Sequence, residues 1–198
     1  MADGKIEATA EVPLGDNLNI HAVIPRSRVN GPGTRLVVFF QGCARHCEGC
    51  FNPATHSFEQ RELITPEALL GRHLSKGIEG ITVSGGEPFA QPKGLLRLLE
   101  LAASSGLSTL VYTGFKLEEV MEDEARDACL AFVDVLIDSP FASDLIEPTL
   151  LARGSTNQRI HFLTSRYVIG DLYMQGRAEV IIGADGVVRK TGFSSLDA

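Results

Sequence analysis

The stretch "FFQGCARHCEGCFNPATHSF", residues 39–58, holds three of the four cysteines of this 198-residue chain. Cys43, Cys47 and Cys50 follow one another with the spacing C-x3-C-x2-C. The segment that leads into them, "RLVVFF" (residues 35–40), is a short run of apolar β-branched and aromatic residues, which is typical of a buried strand. The three thiols are therefore expected on the loop that follows a buried strand.

Further along the chain, strand patterns and helix patterns alternate. Three segments have helical patterns, the third of them broken in the middle: "TPEALLGRHLSKG" (65–77, capped by Thr65 and closed by Gly77), "PKGLLRLLELAASSG" (92–106) and "KLEEVMEDEARDACLAF" (116–132). Three more segments have strand patterns: "GITVSGG" (80–86), "STLVYTG" (108–114) and "VDVLIDSPF" (133–141). This alternation predicts an α/β fold of about four units, with parallel strands covered by helices.

The two ends of the chain differ from this core. Residues 1–34 are expected to be an irregular or β-rich lead-in, and a long connection occupies residues 142–159. The tail from about residue 164 to 198 contains a hairpin pattern with its turn at "ADG", residues 184–186. We expect a single domain over residues 1–198, with a core from about 35 to 163 and β-rich extensions on both sides.

Composition restricts the classes of function. The chain is 44% hydrophobic and 22% charged, and its net charge of −7 argues against nucleic-acid binding. Its apolar runs are shorter than the roughly 20 residues of a membrane span, and the acidic, polar N-terminus is neither a secretory signal nor a transit peptide. A cytoplasmic location is expected. In a reducing compartment, a tight cysteine group more often binds metal or performs redox chemistry than forms disulfides.

Three thiolates in one loop allow two kinds of metal site. His46 or His56 could complete a Cys3His zinc site with them. Alternatively, each of the three cysteines could bind one iron of a four-iron cube, which leaves the fourth iron open for a reactant. The remaining cysteine, Cys129, lies in a helical pattern and is expected to be a small buried apolar residue.

A second motif, "VSGGEPF" (residues 83–89), follows the next predicted strand. Its two glycines expose backbone groups, and Glu87 adds a carboxylate at the carboxyl end of the strand, where ligands of parallel α/β proteins bind. Backbone groups beside an acid suit the zwitterionic end of an amino acid. The motif is expected to lie near the cysteine loop, because adjacent strands end at the same edge of the sheet.

The ordered pair of motifs resembles the radical S-adenosylmethionine (SAM) superfamily. The resemblance implies a partial (β/α) barrel and a [4Fe–4S] cluster held by Cys43, Cys47 and Cys50. It also implies that SAM binds the fourth iron, with its methionine portion against Ser84, Gly85, Gly86 and Glu87. The superfamily usually has an aromatic residue just before the third cysteine, whereas this chain has Gly49 there and Phe51 just after it.

That variant resembles the glycyl-radical activases of anaerobic ribonucleotide reductase. The agreement runs from about residue 17 to 162 and rests on "VNGPGTRLVVFFQGC", "CFNPATHSF", "VYTGF" and "GSTNQR". It implies that Phe51 and Asn157 also contact the cofactor, that Thr113 and Gly114 lie beside its adenosyl group, and that Asp138 and Ser139 lie deeper in the same mouth. Arg45 and His46 are expected on a solvated face of the loop.

The expected function is therefore reductive cleavage of SAM to a 5′-deoxyadenosyl radical, which generates a glycyl radical on a partner reductase. A flavodoxin or ferredoxin is the expected electron donor. Two alternatives stay open: a small stand-alone radical SAM enzyme that acts on a metabolite or peptide, and a zinc-binding interaction module without radical chemistry.

Overall fold

The computed structural model describes residues 15–174, 178–182, 186 and 188–192. Its strands are β1 (Leu18–Ser27), β2 (Arg35–Phe40), β3 (Glu62–Ile64), β4 (Gly80–Gly85), β5 (Ser108–Tyr112), β6 (Val135–Asp138), β7 (Arg159–Phe162), β8 (Ala178–Ile182) and β9 (Val188–Gly192). Its α-helices are α1 (Pro66–His73), α2 (Pro92–Ser104), α3 (Leu117–Met121) and α4 (Glu124–Leu130). Short 3-10 turns cover Pro53–Thr55, Pro88–Ala90, Ser143–Leu145 and Ile169–Leu172.

Seven strands form one sheet in the order β3-β1-β2-β4-β5-β6-β7. The four central strands, β2, β4, β5 and β6, are parallel and lie side by side in chain order. At the flanks, β1 pairs antiparallel with β2, β3 pairs antiparallel with β1, and β7 pairs antiparallel with β6. The predicted α/β fold with a parallel core is confirmed. Because parallel strands end at the same edge, the loops after all four central strands meet there.

The sheet is covered differently on its two faces. The helical face packs against α2, whose Leu95, Leu98, Leu99 and Ala102 are fully buried at the predicted helical spacing. Burial of each such leucine is worth about 1.5–3 kcal/mol. The opposite face packs against the segment after β6, which contributes Leu151, Ala152, Leu172 and Met174 to a second apolar cluster. One face of the sheet is therefore a helix-covered core, and the other carries the loops of the C-terminal half.

The helix boundaries follow local chemistry. α1 begins where the Thr65 hydroxyl accepts a hydrogen bond of 3.2 Å from the backbone N–H of Ala68. It ends at His73 rather than near Gly77 as predicted, because Leu74 is already extended and Gly77 serves a later turn with a φ of +85°. The expected break in the third helical segment is confirmed by the separation of α3 from α4.

The β-rich ends are also present. β1 pairs antiparallel with β2, and β8 pairs antiparallel with β9. The turn predicted at residues 184–186 lies outside the described residues, apart from Gly186. Sequence patterns missed β3 and β7, which have three and four residues and are too short to show a clear period. No helix in the described ranges is long and apolar enough to cross a lipid bilayer.

A fully buried arginine, Arg35, anchors the start of β2. Its guanidinium donates hydrogen bonds to the hydroxyls of Thr82 and Ser108 and to the carbonyls of Pro32 and Ile81. Burial lowers the pKa of this guanidinium from its ordinary value. Arg35 thus ties β2, β4 and β5 together at the end of the sheet opposite the cysteine loop.

Candidate active site

A cavity of about 760 Å³ opens at the carboxyl edge of the central strands. Its volume lies in the range usual for sites that enclose a small molecule or cofactor. The structure brings eleven of the thirteen predicted site residues to its wall: Cys43, Cys47, Cys50, Phe51, Ser84, Gly85, Gly86, Glu87, Thr113, Gly114 and Ser139. The remaining two, Asp138 and Asn157, lie outside the lining.

The loop that carries the cysteines is held by backbone hydrogen bonds. The N–H of Gly42 donates to Thr55 at 2.8 Å, and the N–H of Cys43 donates to His56 at 3.1 Å. Gly49 has a φ of +67°, and a Cβ there would lie 2.8 Å from the Cβ of Ser143. Any side chain just before the third cysteine, an aromatic one included, would therefore crowd Ser143 in this chain.

The three thiols have the chemistry that an iron–sulfur cluster requires. Cys43, Cys47 and Cys50 are free and half-buried on one cavity wall. Burial raises the pKa of the Cys43 and Cys50 thiols above the ordinary value, so a bound metal must supply the positive charge that stabilises their thiolates. A four-iron cube binds each thiolate at a different iron, so its ligands need not converge on one point. This donor set fits such a cluster.

Two histidines accompany the cysteines. The rings of His46 and His56 meet edge to face with centroids 4.8 Å apart, and their Nδ1 atoms are 3.3 Å apart. Burial and the neighbouring His46 lower the pKa of His56. Across the residues that the structure describes, no three Cys, His, Asp or Glu side chains are grouped closely enough to hold a single metal ion.

The Gly-Gly-Glu turn packs directly on the turn before the first cysteine. The N–H of Gly86 donates to the carbonyl of Phe40, and the N–H of Glu87 donates to the carbonyl of Gly42, both at 2.8 Å. A Cβ on Gly85 would lie 2.5 Å from the backbone N of Phe40, and one on Gly86 would lie 2.3 Å from the carbonyl oxygen of Gly42. Only glycine at both positions allows this close approach of two backbones.

Glu87 is a buried carboxylate with several donors around it. Its Oε1 accepts hydrogen bonds from the N–H of Phe89 at 3.0 Å and the hydroxyl of Thr113 at 2.8 Å, and its Oε2 accepts one from the N–H of Gly114 at 2.8 Å. Burial raises the pKa of this carboxyl, while these donors and the nearby Arg45 act to lower it. The carboxylate therefore lies at the cavity wall and also connects two strand ends.

Arg45 is not on a solvated face, contrary to expectation. Only 24% of its side chain is exposed, and its Cζ lies 4.2 Å from the ring centroid of Phe115. A Cβ on Gly114 would lie 2.5 Å from the Cδ of Arg45, so the absence of a side chain at residue 114 makes room for the arginine stem. The arginine turns inward because glycine and an aromatic ring provide a site for it.

The end of β6 places its two predicted residues differently. Ser139 lines the cavity and has a φ of +82°. Asp138 is fully buried behind the wall, where its carboxylate accepts hydrogen bonds from Arg159, His161 and the N–H of Leu117. Since that carboxylate is fully engaged by these groups, Asp138 supports the wall and does not form part of it.

The "GSTNQR" segment is also divided. Gly154 and Gln158 line the cavity, whereas Asn157 is exposed and donates a hydrogen bond of 2.8 Å to the carbonyl of Pro140. The Gln158 side-chain oxygen accepts from the N–H groups of Gly154 and Ser155. Asn157 therefore fixes a loop, and its neighbour Gln158 is the residue that reaches the cavity.

Sequence patterns missed one further group of residues that line the cavity. Asn30 from the lead-in and Lys190, Thr191 and Gly192 from β9 also line the cavity. The side-chain amide of Asn30 donates to the hydroxyl of Thr191 at 2.8 Å, across 161 positions of sequence. No local pattern signals a contact between positions so distant in sequence.

Comparison with known proteins identifies the family of this chain. Residues 29–161 match the model of the 4Fe-4S single cluster domain. The chain is 34% identical over 156 residues to the anaerobic ribonucleoside-triphosphate reductase-activating protein of Escherichia coli K12, which covers 74% of this chain and 99% of the relative. The protein of that name from Enterobacteria phage T4 is 36% identical over 152 residues, or 72% of this chain and 93% of the relative.

Two further proteins are similar to this chain. The Vibrio cholerae protein of the same name is 33% identical over 159 residues, covering 74% of this chain and 99% of the relative. The crystal structure of QueE from Escherichia coli aligns with 54% of this chain and 58% of that chain, with a TM-score of 0.43 and 17% identity. From the sequence relatives and the matched domain, this chain belongs to the anaerobic ribonucleoside-triphosphate reductase-activating protein family and carries the 4Fe-4S single cluster domain of that match.

Proposed function

We propose that this protein cleaves SAM reductively at a [4Fe–4S] cluster and thereby generates a glycyl radical on an anaerobic ribonucleotide reductase. The observation that carries the proposal is the meeting of three half-buried free thiols with a glycine-lined turn and a buried carboxylate in one cavity. The names of the sequence relatives support the choice of reductase as the partner.

In this proposal, Cys43, Cys47 and Cys50 hold the cluster. Two backbone hydrogen bonds, from the N–H of Gly42 to Thr55 and from the N–H of Cys43 to His56, fix the start of the loop that carries the thiols. When bound, the cluster supplies one electron to SAM, which yields methionine and a 5′-deoxyadenosyl radical that can take the α-hydrogen of a glycine. The protein orients these groups and keeps solvent away from them.

The remaining lining residues receive roles toward SAM. Gly85 and Gly86 present backbone at close range to the methionine portion, since their turn leaves no room for side chains, and Ser84 lies beside them on the cavity wall. Glu87 accepts the amino group, because Oε2 has one described donor and a carboxylate oxygen can accept a second. Thr113 and Gly114 border the adenosyl side of the cavity.

Four other predicted residues complete the assignment. Phe51 and Ser139 contact the cofactor from the cavity wall. For Asp138 and Asn157 the structure favours an indirect role, since the first binds Arg159 and His161 behind the wall and the second holds the Pro140 carbonyl. Both would position Ser139 and its neighbours without touching SAM.

The architecture supports a partial (β/α) barrel in which the whole chain acts as one radical SAM domain. The parallel strands lie in chain order, and their carboxyl ends all face the cavity, as such a barrel requires. The reductase would then approach the open mouth, where Phe51 and Ile146 line the cavity and remain 43% and 55% exposed. Apolar side chains at a cavity mouth suit contact with a protein partner.

The setting proposed for this reaction is the cytoplasm, where thiols stay reduced and a flavodoxin or ferredoxin can deliver the electron. The net charge of −7 is consistent with a protein partner and not with a nucleic acid. No membrane association is part of the proposal.

One observation keeps a second function open. Lys190, Thr191 and Gly192 of β9 add to the cavity wall although they lie beyond the matched residues 29–161. A wall element outside the family core could bind a small metabolite or peptide, so a stand-alone biosynthetic radical SAM enzyme is the alternative.

Anaerobically purified protein provides the test. We expect about four iron and four sulfide per chain, a brown colour, cleavage of SAM under reducing conditions, and a glycyl radical in the electron paramagnetic resonance spectrum after mixing with an anaerobic reductase. Rapid SAM cleavage without a glycyl radical would favour the alternative. One zinc per chain and no sulfide would instead favour the zinc-binding module and overturn the proposal.

A further inference from the structure

Arg45 lies between Cys43 and Cys47 in the sequence, but its side chain packs on the turn that follows β5. Its stem occupies the space above Gly114, where a Cβ would come within 2.5 Å of Cδ and 3.0 Å of Nε. Its guanidinium carbon lies 4.2 Å from the centroid of Phe115. The charged group is thereby held over the turn that follows β5, on the wall of the cavity.

The guanidinium has an unused donor in this position. Within the described part of the chain, Nε of Arg45 is buried and has no hydrogen-bond partner. Its Nη2 reaches Glu119 at 3.5 Å, but that carboxylate is 46% exposed and the contact is long. A buried donor without a partner is costly, so native structures rarely keep one unless a ligand or water completes it.

A second carboxylate, that of Glu87, also lies near the Arg45 guanidinium. Nε of Arg45 and Oε2 of Glu87 lie 3.0 and 3.4 Å from the same point, the position that a Cβ on Gly114 would take. Among the described contacts they form no ion pair, and the donors of Glu87 come from Phe89, Thr113 and Gly114. A cation and an anion therefore stand side by side at the cavity wall, each with capacity for one further partner.

We propose that Arg45 binds the carboxylate of the amino-acid end of SAM, while Glu87 binds its ammonium group. This assignment rests on the proposed function. In it, the cation Arg45 and the anion Glu87 bind the two oppositely charged groups of one zwitterionic ligand. Hydrogen bonds between a guanidinium and a carboxylate are among the strongest in proteins. A cluster sulfide offers the same Nε–H a different anionic acceptor, so the experiment must separate the two.

The test compares SAM with decarboxylated SAM, which lacks only the carboxylate. Equilibrium binding of each to the anaerobic, cluster-loaded protein is measured for the wild type, Arg45→Gln and Arg45→Lys. We expect Arg45→Gln to weaken SAM binding about 10- to 100-fold and to change binding of decarboxylated SAM less than about twofold. Arg45→Lys keeps an aliphatic stem and the positive charge, so it serves as the test if Arg45→Gln does not retain iron. It should lose less of the preference for SAM over decarboxylated SAM than Arg45→Gln.

Arg126→Gln is the matched control. Arg126 also lies 4.2 Å over the Phe115 ring, but it donates to the Phe89 carbonyl and is not part of the cavity wall. Its substitution should leave both affinities within about twofold of the wild type. If Arg126→Gln weakened binding of SAM but not of decarboxylated SAM, the proposal would be overturned, because the effect would then come from a disturbed Phe115 ring.

Four other outcomes would also overturn it. Unchanged SAM affinity in both Arg45 variants would exclude the contact, and an equal loss for both ligands would indicate a purely structural role. A shifted midpoint potential of the SAM-free cluster, with SAM affinity unchanged, would assign Arg45 to a sulfide. If the cluster-loaded wild type bound no SAM, the proposed function itself would fail, and the Arg45 assignment with it.

Discussion

Thr113 donates a hydrogen bond of 2.8 Å from its hydroxyl to the carboxylate of Glu87 and so joins the ends of β5 and β4. The backbone N–H of Gly114 binds the other oxygen of the same carboxylate. Glu87 is only 3% exposed, which means that this link is made out of contact with bulk water. Glu87, which is proposed to bind SAM, therefore also stabilises the fold.

This double role leads to a prediction for Glu87→Ala. The substitution leaves three buried donors without an acceptor, so we expect the free energy of unfolding to fall by about 1–3 kcal/mol in urea titrations. SAM binding should weaken while iron content survives. Glu87→Gln, which keeps one acceptor oxygen, should lose less stability; a larger loss in Glu87→Gln than in Glu87→Ala would contradict the explanation.

The four cysteines should separate into two groups. Replacing Cys43, Cys47 or Cys50 by Ala should abolish iron retention and SAM cleavage, because each would remove one ligand of the cube. Cys129→Ala should keep both, since burial raises the pKa of that thiol to about 12 and its sulfur faces the carbonyls of Pro92 and Ala125. Iron analysis and product chromatography measure the outcomes, and normal cleavage by Cys43→Ala would refute the ligand assignment.

Gly86→Ala is expected to disturb the cysteine loop through its contact with the backbone of Gly42. The new Cβ would lie 2.3 Å from the carbonyl oxygen of Gly42, a backbone atom that cannot rotate away. We expect a loss of unfolding free energy of at least about 1–3 kcal/mol and reduced iron content after reconstitution. Gly71→Ala is the control, because nothing lies within 4 Å of a Cβ at this position in α1. That change should be neutral or stabilising by about 0.5–1 kcal/mol, and a similar loss in both variants would be evidence against the clash.

The environment of Asp138 leads us to expect a specific dependence of the free energy of unfolding on acid pH. Burial acts to raise the pKa of its carboxyl, but hydrogen bonds from Arg159, Leu117, His161 and Ser139 outweigh this and hold the pKa below the ordinary 3.8. In the unfolded chain the group takes up its proton near 3.8, whereas in the folded chain it does so at lower pH. The stability that Asp138 contributes is thus present above 3.8 and is lost as the pH falls through the folded value.

Urea midpoints measured between about pH 5 and pH 3 check this response. Asp138→Asn should be less stable than the wild type at neutral pH, and its stability should decline less steeply in acid. Asp144→Asn, which replaces an exposed carboxylate, corrects for the change in net charge. Parallel acid declines in the wild type and Asp138→Asn would rule out the hydrogen-bonded carboxylate as the source.

Sequence patterns predicted the parts of the molecule that depend on local order. The helical spacing of Leu95, Leu98 and Leu99 and the apolar runs of the central strands appear as buried elements in the predicted places. The motifs after β2 and β4 line one cavity because parallel neighbours end at one edge. Periodicity and motif spacing both act over a few residues, which a sequence displays directly.

Contacts between distant segments were not predictable in this way. Nothing near Arg45 indicates that its side chain turns inward, since the space for it comes from Gly114 and Phe115, some 70 positions later. Arg35 begins an apolar run but is fully buried through bonds to Thr82 and Ser108. Asp138 was predicted at the cavity mouth, yet β7 supplies the Arg159 and His161 that hold it behind the wall.

The order of the strands has a consequence for biosynthesis. β2, β4, β5 and β6 stand next to one another in the order in which the ribosome makes them, and β6 ends at Asp138. The cysteine loop, the paired glycines and Glu87 are thus synthesised before the last described strand, β9, which adds Lys190, Thr191 and Gly192 to the cavity wall. In the proposed function, iron and sulfide can reach the three thiols before that last strand docks, and the strand then covers a metal centre already in place.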